Sequence, residues 1–222
     1  MAQTTFYFDL GSPYAYLTAE RLSEVLSEPV TWQPVSLGAL FKLTGRSSWA
    51  MGGPGQRQAG MAEVERRARL YGLPAVRWPD PWPTDYLFAM RAATYAFQVG
   101  RGHEFTMRAF RHAFQHGNDL AIHEHVLQAA TDAGLDAREV TEATSRPEIK
   151  LALRTATDAA HALGAFGVPT IAVAAELFWG DDRLEEAAIF RQRAQRSDTS
   201  TGFIPTPLRP SAETRPDRSP DT

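Results

Sequence analysis

A strand pattern, a helix pattern and a second strand pattern follow one another at the start of this chain. Residues 4–8 are β-branched and aromatic, residues 13–26 place apolar side chains at near-helical spacing, and residues 30–35 are again strand-like. Because a helical crossover joins strands that run in the same direction, this β-α-β unit predicts two parallel strands in one sheet.

A long helical block separates this unit from a second strand-forming region. Helices are predicted over 58–70, 84–99, 104–115, 123–133, 137–143 and 147–163. After Gly167 the pattern changes to a β-hairpin over 170–174 and 177–179, followed by a last helix over 182–194. We expect the first and last regions to share one sheet, which makes the chain an α/β protein.

Composition indicates a globular protein without an obvious surface for nucleic acid or membrane. The chain has 222 residues, 43% of them hydrophobic, and a formal net charge of -3, with its arginines spread along the sequence. No apolar run approaches the length that crosses a bilayer. We therefore expect a cytoplasmic protein that binds neither nucleic acid nor a membrane. Residues 196–222 are poor in apolar side chains and predict a disordered tail.

The chain contains no cysteine, so any thiol chemistry must use sulfur from a bound molecule. Four histidines at 112, 116, 123 and 125 have spacings that could suit a metal, but no carboxylate or cysteine frame surrounds them. We expect no metal site.

Ser12 stands between Gly11 and Pro13, where the first strand gives way to the first helix. Serine is a favoured N-cap and proline a favoured first helical residue, so capping alone is one interpretation. The same corner directs free N–H groups and the positive end of the helix dipole at a ligand, so a thiolate site is the other.

Pro169 directly precedes the late hairpin, and its sequence position allows two interpretations: a structural cis-proline or an ordinary turn. A cis bond there would present the backbone N–H and C=O of Val168 to an extended, peptide-like ligand.

Three segments resemble the 2-hydroxychromene-2-carboxylate isomerase family, which is related to kappa-class glutathione transferases and to DsbA oxidoreductases. They are FYFDLGSPYAYL at 6–17, GAFGVPT at 164–170 and LFWGDDRL at 177–184, and they occur in the order found in the family. The resemblance implies a thioredoxin-like fold with a large all-helical insertion. On this basis residues 1–36 and 165–195 form the thioredoxin-like domain, and residues 37–164 form the insertion.

The resemblance also implies roles for individual residues. Ser12 would contact the sulfur of glutathione, Val168 before Pro169 would pair with its cysteinyl backbone, and Asp182 would receive its γ-glutamyl amine. Asp181 and Asp182 both stand at the start of a helix, where one acid can cap it and leave the other for an ammonium group. The resemblance alone suggests a homodimer.

The binding of a second substrate is predicted less directly. Lys42 or Arg91 could hold its carboxylate, and aromatic residues could line an apolar cleft: Trp49, Trp78, Trp82, Tyr86 and Phe88, with Met51 beside them. The family usually has asparagine where this chain has Asp85, and an ionised carboxylate there would repel a substrate carboxylate.

Three functions stay open at this stage. The first is glutathione-dependent cis–trans isomerisation of a small aromatic or conjugated carboxylate such as 2-hydroxychromene-2-carboxylate, with glutathione or another low-molecular-weight thiol. The second is a kappa-like glutathione transferase that releases a stable thioether. The third is a noncatalytic thioredoxin-like binding module, in which Ser12 and Pro169 serve only as cap and turn.

Overall fold

The computed structural model describes residues 3–26 and 29–200. Its last helix runs to Ser200 and so includes the first few residues of the predicted disordered tail. The remainder of that predicted tail lies outside the described residues.

The first unit has the predicted β-α-β order. Strand β1 is Thr4–Phe8, helix α1 is Pro13–Val25 and strand β2 is Thr31–Pro34. β1 and β2 are parallel, with Phe6 opposite Trp32. The helix begins where it was predicted to begin because Ser12 caps it and Pro13 supplies a first helical residue that needs no N–H partner.

Seven helices and a short 3-10 helix at Trp49–Met51 form the block between the two strand regions. The helices are α2 (Leu37–Thr44), α3 (Pro54–Leu70), α4 (Leu87–Gln98), α5 (Gly102–Phe114), α6 (His123–Asp132), α7 (Ala137–Ser145) and α8 (Pro147–Ala162).

Three of these helices differ from the sequence prediction by more than two residues in their start or were not predicted separately. Helix α3 begins at Pro54, four residues before the predicted start at 58. Helix α2 was not predicted separately, because eight residues are too few for a clear period; Ser36 caps it and Gly45, at φ 66°, ends it. Helix α4 begins three residues later than predicted, at Leu87. There Asp85 accepts the Leu87 N–H at 2.9 Å, which makes it a turn residue rather than a helical one.

The late region returns the chain to the sheet. Strands β3 (Thr170–Val173) and β4 (Glu176–Trp179) form the predicted antiparallel hairpin, and a 3-10 turn at Asp181–Arg183 leads into α9 (Leu184–Ser200). β3 pairs antiparallel with β1, so the sheet order is β2-β1-β3-β4. The prediction that both strand regions share one sheet is confirmed.

Both faces of the sheet are buried, and alternate residues of each central strand serve different clusters. Phe6 and Phe8 of β1 lie in the larger apolar cluster, whereas Tyr7 between them packs with Val35 and with Leu40 of α2. This alternation is the period of two that a strand imposes. The sheet is therefore the middle layer between two groups of helices.

Aromatic contacts fix α1 between the sheet and α5. The ring of Phe110 on α5 lies 6.0 Å from Phe8 of β1 and 6.3 Å from Tyr16 of α1. Arg111 adds a bidentate ion pair to Glu20 of α1, with both distances 2.8 Å. Since Ser12 begins α1, these contacts also set the position of the Ser12 corner.

We predict that Phe110→Ala lowers the free energy of unfolding by about 3 to 5 kcal/mol, because it removes a fully buried ring and leaves a cavity between three elements. Leu151→Ala is the matched control, since Leu151 is 62% exposed on α8, and it should change stability by no more than about 0.5 kcal/mol. Chemical denaturation measures both. Equal effects of the two substitutions would contradict this account of the packing.

Candidate active site

A cleft of about 890 Å³ opens where the helical block meets one end of the sheet. The start of α1, the segment before β3 and the turn after β4 form one wall, and residues of the helical block form the other. Its lining includes Ser12, Val168, Pro169, Asp181 and Asp182, which the sequence analysis selected as one site. The fold thus brings together residues from three separate segments.

Ser12 is 3% exposed and is held by both its backbone and its side chain. Its Oγ accepts the Ala15 N–H at 3.2 Å, which caps α1, and donates to the Val168 carbonyl at 3.4 Å. Pro13 has no N–H, and among the described residues no group accepts the N–H of Tyr14. The corner therefore offers a hydroxyl, one free N–H and the positive end of α1 to the cleft.

The Val168–Pro169 peptide bond is cis, which the sequence left undecided. The Pro169 carbonyl accepts the Gly180 N–H at 3.0 Å, so this segment adjoins the turn after β4. Within the described chain, no hydrogen bond engages the Val168 N–H. That group can pair with the backbone of an extended ligand.

The two neighbouring acids at the end of β4 have different surroundings. Asp181 is 1% exposed, and its carboxylate accepts hydrogen bonds from Arg67 at 2.7 Å and from the Tyr71 hydroxyl at 2.9 Å. The Asp182 side chain is 59% exposed, and its carboxylate lies 3.5 Å from the same guanidinium. Asp181 is thus a structural ion-pair partner, and Asp182 is the acid that can still meet a ligand.

Burial raises the pKa of Asp181, and the Arg67 guanidinium and the Tyr71 hydroxyl oppose that effect. Burial together with the Asp181 carboxylate raises the pKa of Tyr71 to about 12. At neutral pH the Tyr71 hydroxyl therefore keeps its proton and acts as a donor to Asp181.

Asp9 is a buried carboxyl group in the same turn as Ser12. Its two oxygens accept the N–H groups of Gly11 and Leu37, each at 2.8 Å, and its carbonyl accepts the Ser12 N–H at 3.0 Å. The pKa of Asp9 is raised from 3.8 to about 6. Burial is the main cause and the Asp85 carboxylate adds to it, while the two N–H donors act in the opposite direction. Asp9 ties the start of α1 to the start of α2.

Four of the six predicted cleft residues line it: Trp49, Met51, Trp82 and Tyr86. Trp82 lies between two other indoles, with ring centroids 5.4 Å from Trp49 and 4.7 Å from Trp78, and its ring is tilted by 47° and 53° to theirs. Trp78 supports the cleft from behind without lining it. Phe88 instead stacks on His123.

The two basic residues predicted to hold a substrate carboxylate do not reach the cleft. Lys42 is exposed on α2 and Arg91 is half-buried on α4, and neither is part of the lining. Both lie on helices that contribute other residues to the cleft, and their helical positions turn them away from it. Asp85 does line the cleft, at its exposed edge.

Comparison with known proteins identifies the family of the chain. A model of the DsbA-like thioredoxin domain matches residues 3–189. The chain belongs to the DsbA-like thioredoxin domain family. The thioredoxin-like fold predicted from the sequence is thereby confirmed.

Two relatives share 27% identity with the chain, and both are named 2-hydroxychromene-2-carboxylate isomerase. The protein from Sphingobium xenophagum aligns over 191 residues, 81% of this chain and 93% of its own length. The protein from Pseudomonas putida aligns over 212 residues, 88% of this chain and 98% of its own. The resemblance seen in the sequence motifs is confirmed.

Solved structures of two kinds share the fold. A 2-hydroxychromene-2-carboxylate isomerase superposes with a TM-score of 0.77 at 20% identity, covering 90% of this chain and 99% of that one. A probable DsbA oxidoreductase from Streptomyces coelicolor superposes with a TM-score of 0.73 at 22% identity, covering 98% and 97%. At these identities the likeness concerns the fold.

Two further findings apply to the described residues alone. No helix among them is both long enough and apolar enough to cross a membrane. No group of three or more histidine, aspartate or glutamate side chains in that part of the chain is placed to hold a metal ion.

Sequence reasoning missed three side chains of the site. No role was assigned to Asp9 from the sequence, although a carboxylate at the end of an apolar strand is a signal of a specific partner. Arg67 and Tyr71 lie on and just after α3, more than a hundred positions from the Asp181 that they bind. No local pattern reveals such a pair.

We predict that the stability of the protein relative to Asp9→Asn falls as pH rises from 4 to 7. A carboxyl group with a raised pKa binds its proton more tightly in the folded chain, so its contribution is present below about pH 4 and lost above about pH 6. A shift of about two units corresponds to about 3 kcal/mol. Denaturation of both proteins across this range measures the difference.

A direct titration of the Asp9 carboxyl carbon by NMR keeps the test independent of how well Asp9→Asn folds. Its midpoint should lie near pH 6 and should fall in Asp85→Asn, which removes a neighbouring negative charge. A midpoint near 4 would show that Asp9 is solvated rather than buried.

Proposed function

We propose that this chain is a glutathione-dependent cis–trans isomerase that acts on a small aromatic or conjugated carboxylate, with 2-hydroxychromene-2-carboxylate as the substrate to test. One observation carries the proposal. A serine hydroxyl at the start of α1 faces the Val168–Pro169 segment in a large cleft, in a chain that has no cysteine. The names of the two relatives support the same reaction.

The residues of the cleft fit a tripeptide thiol. The Val168 N–H is available for a backbone hydrogen bond, and the exposed Asp182 carboxylate can receive an ammonium group. The Ser12 corner accommodates an anion without a cationic side chain, as the first turn of a helix does. Each of these groups has its counterpart in glutathione: backbone, amine and thiolate.

The Ser12 corner is strong enough to keep a bound thiol ionised near neutral pH. Lowering a thiol pKa by about two units requires about 2.7 kcal/mol of preference for the thiolate. The helix terminus supplies up to about 2 kcal/mol in a partly buried geometry. If the Ser12 hydroxyl donates to the sulfur instead of the Val168 carbonyl, this hydrogen bond adds about 1.5 to 3 kcal/mol to the preference for the thiolate.

When bound, glutathione supplies a thiolate that adds reversibly to a conjugated double bond, which becomes single, rotates and is restored as the thiolate leaves. The chain's own residues perform the other tasks. Ser12 and the first turn of α1 hold the negative charge on sulfur, and Val168 and Asp182 fix the direction of the tripeptide. The indoles of Trp49 and Trp82, which are tilted 47° to each other, offer apolar surface to an aromatic ring.

The two alternatives predict different observations. A glutathione transferase would use the same thiolate site but release a thioether, so only the product distinguishes it from an isomerase. A noncatalytic module would need only the cap and the turn, with the Ser12 corner filled by side chains. Ser12 instead lines the 890 Å³ cleft, which favours a ligand site.

The experiment that tests the proposal has two steps. Calorimetry with glutathione near pH 7 should show binding, and the protein with catalytic glutathione should then convert 2-hydroxychromene-2-carboxylate into its trans isomer with no loss of free thiol. Consumption of thiol with formation of a thioether would replace the isomerase by the transferase. Absence of binding would refute the dependence on glutathione.

We predict that Ser12→Ala lowers turnover by about 10- to 100-fold, the equivalent of one hydrogen bond to a charged sulfur. The control is Asp136→Ala, which removes the N-cap of α7 outside the cleft and should leave the rate unchanged. Both substitutions cost stability of about 1 kcal/mol as lost caps. Steady-state rates that fall equally in the two variants would reduce Ser12 to a cap.

We predict opposite effects for asparagine at the two neighbouring acids. Asp182→Asn should weaken glutathione binding about three- to tenfold and leave the unfolding free energy unchanged, because the side chain is largely exposed. Asp181→Asn should lower the unfolding free energy by about 1 to 2 kcal/mol, because it removes the buried carboxylate that accepts hydrogen bonds from Arg67 and Tyr71, while Glu63 still pairs with Arg67 at 2.7 Å. Calorimetry and denaturation of both variants measure this contrast, and its reversal would exchange the two roles.

A further inference from the structure

A second cavity of about 340 Å³ adjoins the cleft. The two share residues, among them Trp49, Met51 and Trp179, so a ligand in the cleft can extend into the second cavity. Phe166 and Arg46 line the second cavity but not the main cleft. It is therefore an extension of the site with a different chemical character.

Arg46 is the cation of this cavity. Its guanidinium carbon lies 3.9 Å from the centroid of the Phe166 ring, and the Phe166 ring lies 4.8 Å from Trp179. Among the described residues, no carboxylate forms an ion pair with Arg46. A guanidinium that stacks on an aromatic ring keeps its edge of N–H donors free, and that edge matches a carboxylate.

The chain around Val168 links the two charged ends of the combined site. Phe166 and Gly167 lead from the second cavity to Val168, and Pro169 leads on to Gly180, whose N–H it binds at 3.0 Å. Asp182 follows two residues later. An extended ligand that pairs with the Val168 backbone would therefore have Arg46 near one end and Asp182 near the other.

Charge decides the direction in which such a ligand lies. The acid Asp182 suits an amino group at one end, and the cation Arg46 suits a carboxylate at the other. In an antiparallel pairing the ligand residue after the one opposite Val168 lies on the side of Gly167 and Phe166. The carboxyl terminus of the ligand then points towards Arg46, in agreement with the charges.

We propose that Arg46, stacked on Phe166, binds the terminal carboxylate of the thiol ligand, so that the site selects a peptide thiol with an amine at one end and a carboxylate at the other. The inference rests on the proposed function, because it specifies which thiol the same site takes. It excludes thiols that carry an uncharged sugar or alcohol in place of the terminal carboxylate.

The test compares glutathione with its glycyl monoethyl ester, which keeps the amine and the thiol and lacks only the terminal negative charge. Calorimetry should show that the wild-type protein binds the acid about three- to tenfold more tightly than the ester. In Arg46→Gln the affinity for glutathione should fall by the same factor, while the affinity for the ester should not change. Arg69→Gln is the control, because Arg69 is an exposed arginine outside both cavities and should retain the preference.

The outcomes separate this inference from the function on which it rests. Equal binding of acid and ester to the wild-type protein would refute the role of Arg46 and leave the proposed function standing. Arg46→Gln that weakens acid and ester alike would show that Arg46 only supports the cavity wall, and would also refute it. No binding of either ligand to the wild-type protein would refute the proposed function itself.

Discussion

The approach of the Ser12 corner to Val168 joins two segments that are 156 residues apart in the sequence, and it defines the site. It exists because β1 is paired on one side with β2 and on the other with β3. Because β1 and β3 are antiparallel, the end of β1 that leads into α1 lies beside the start of β3. Asp9 strengthens this junction, since its carboxylate binds the N–H groups at the start of both α1 and α2.

The buried acids of the site are compensated in two different ways, and the difference has a functional consequence. Asp181 has a guanidinium and a phenol as partners, so it is committed to the fold and leaves Asp182 available. The Asp9 carboxylate has two backbone N–H donors, and this weaker compensation leaves its pKa raised to about 6.

Sequence patterns predicted the structural features that depend on residues close together in the sequence. The strands, the cap and the first turn of α1 follow from residue types within a few positions, and these predictions were confirmed. The Ser12, Pro169 and Asp182 segments could be assigned to one site only because their motifs occur together in a known family. The Arg67–Asp181 pair could not be predicted, because the two residues are 114 positions apart. For Asp9 the sequence signals a partner, but that the partner is the Leu37 N–H depends on how α2 packs beside β1.

The positions of Lys42 and Arg91 outside the cleft lining have a related cause on a smaller scale. Both stand on helices that border the cleft, but which face of a helix meets a cleft is decided by packing. Leu37, Gly38 and Phe41 of α2 line the cleft, while Lys42 on the next position is exposed. Lys42 and Arg91 thus stand next to lining residues in the sequence but on a different face of their helices.

In the proposed function, this chain of the DsbA-like family, which contains no cysteine, takes its sulfur from a bound thiol. A covalently attached sulfur is held in place by the chain, whereas a borrowed one must be held by contacts to the rest of its carrier. In the two proposals, the indoles, the free Val168 N–H and the Asp182 carboxylate of the cleft, with Arg46 of the adjoining cavity, supply such contacts. In the proposed function, the absence of cysteine explains the presence of an extended binding cleft. The protein must first bind the molecule that carries the sulfur, and only then can Ser12 and α1 act on that sulfur.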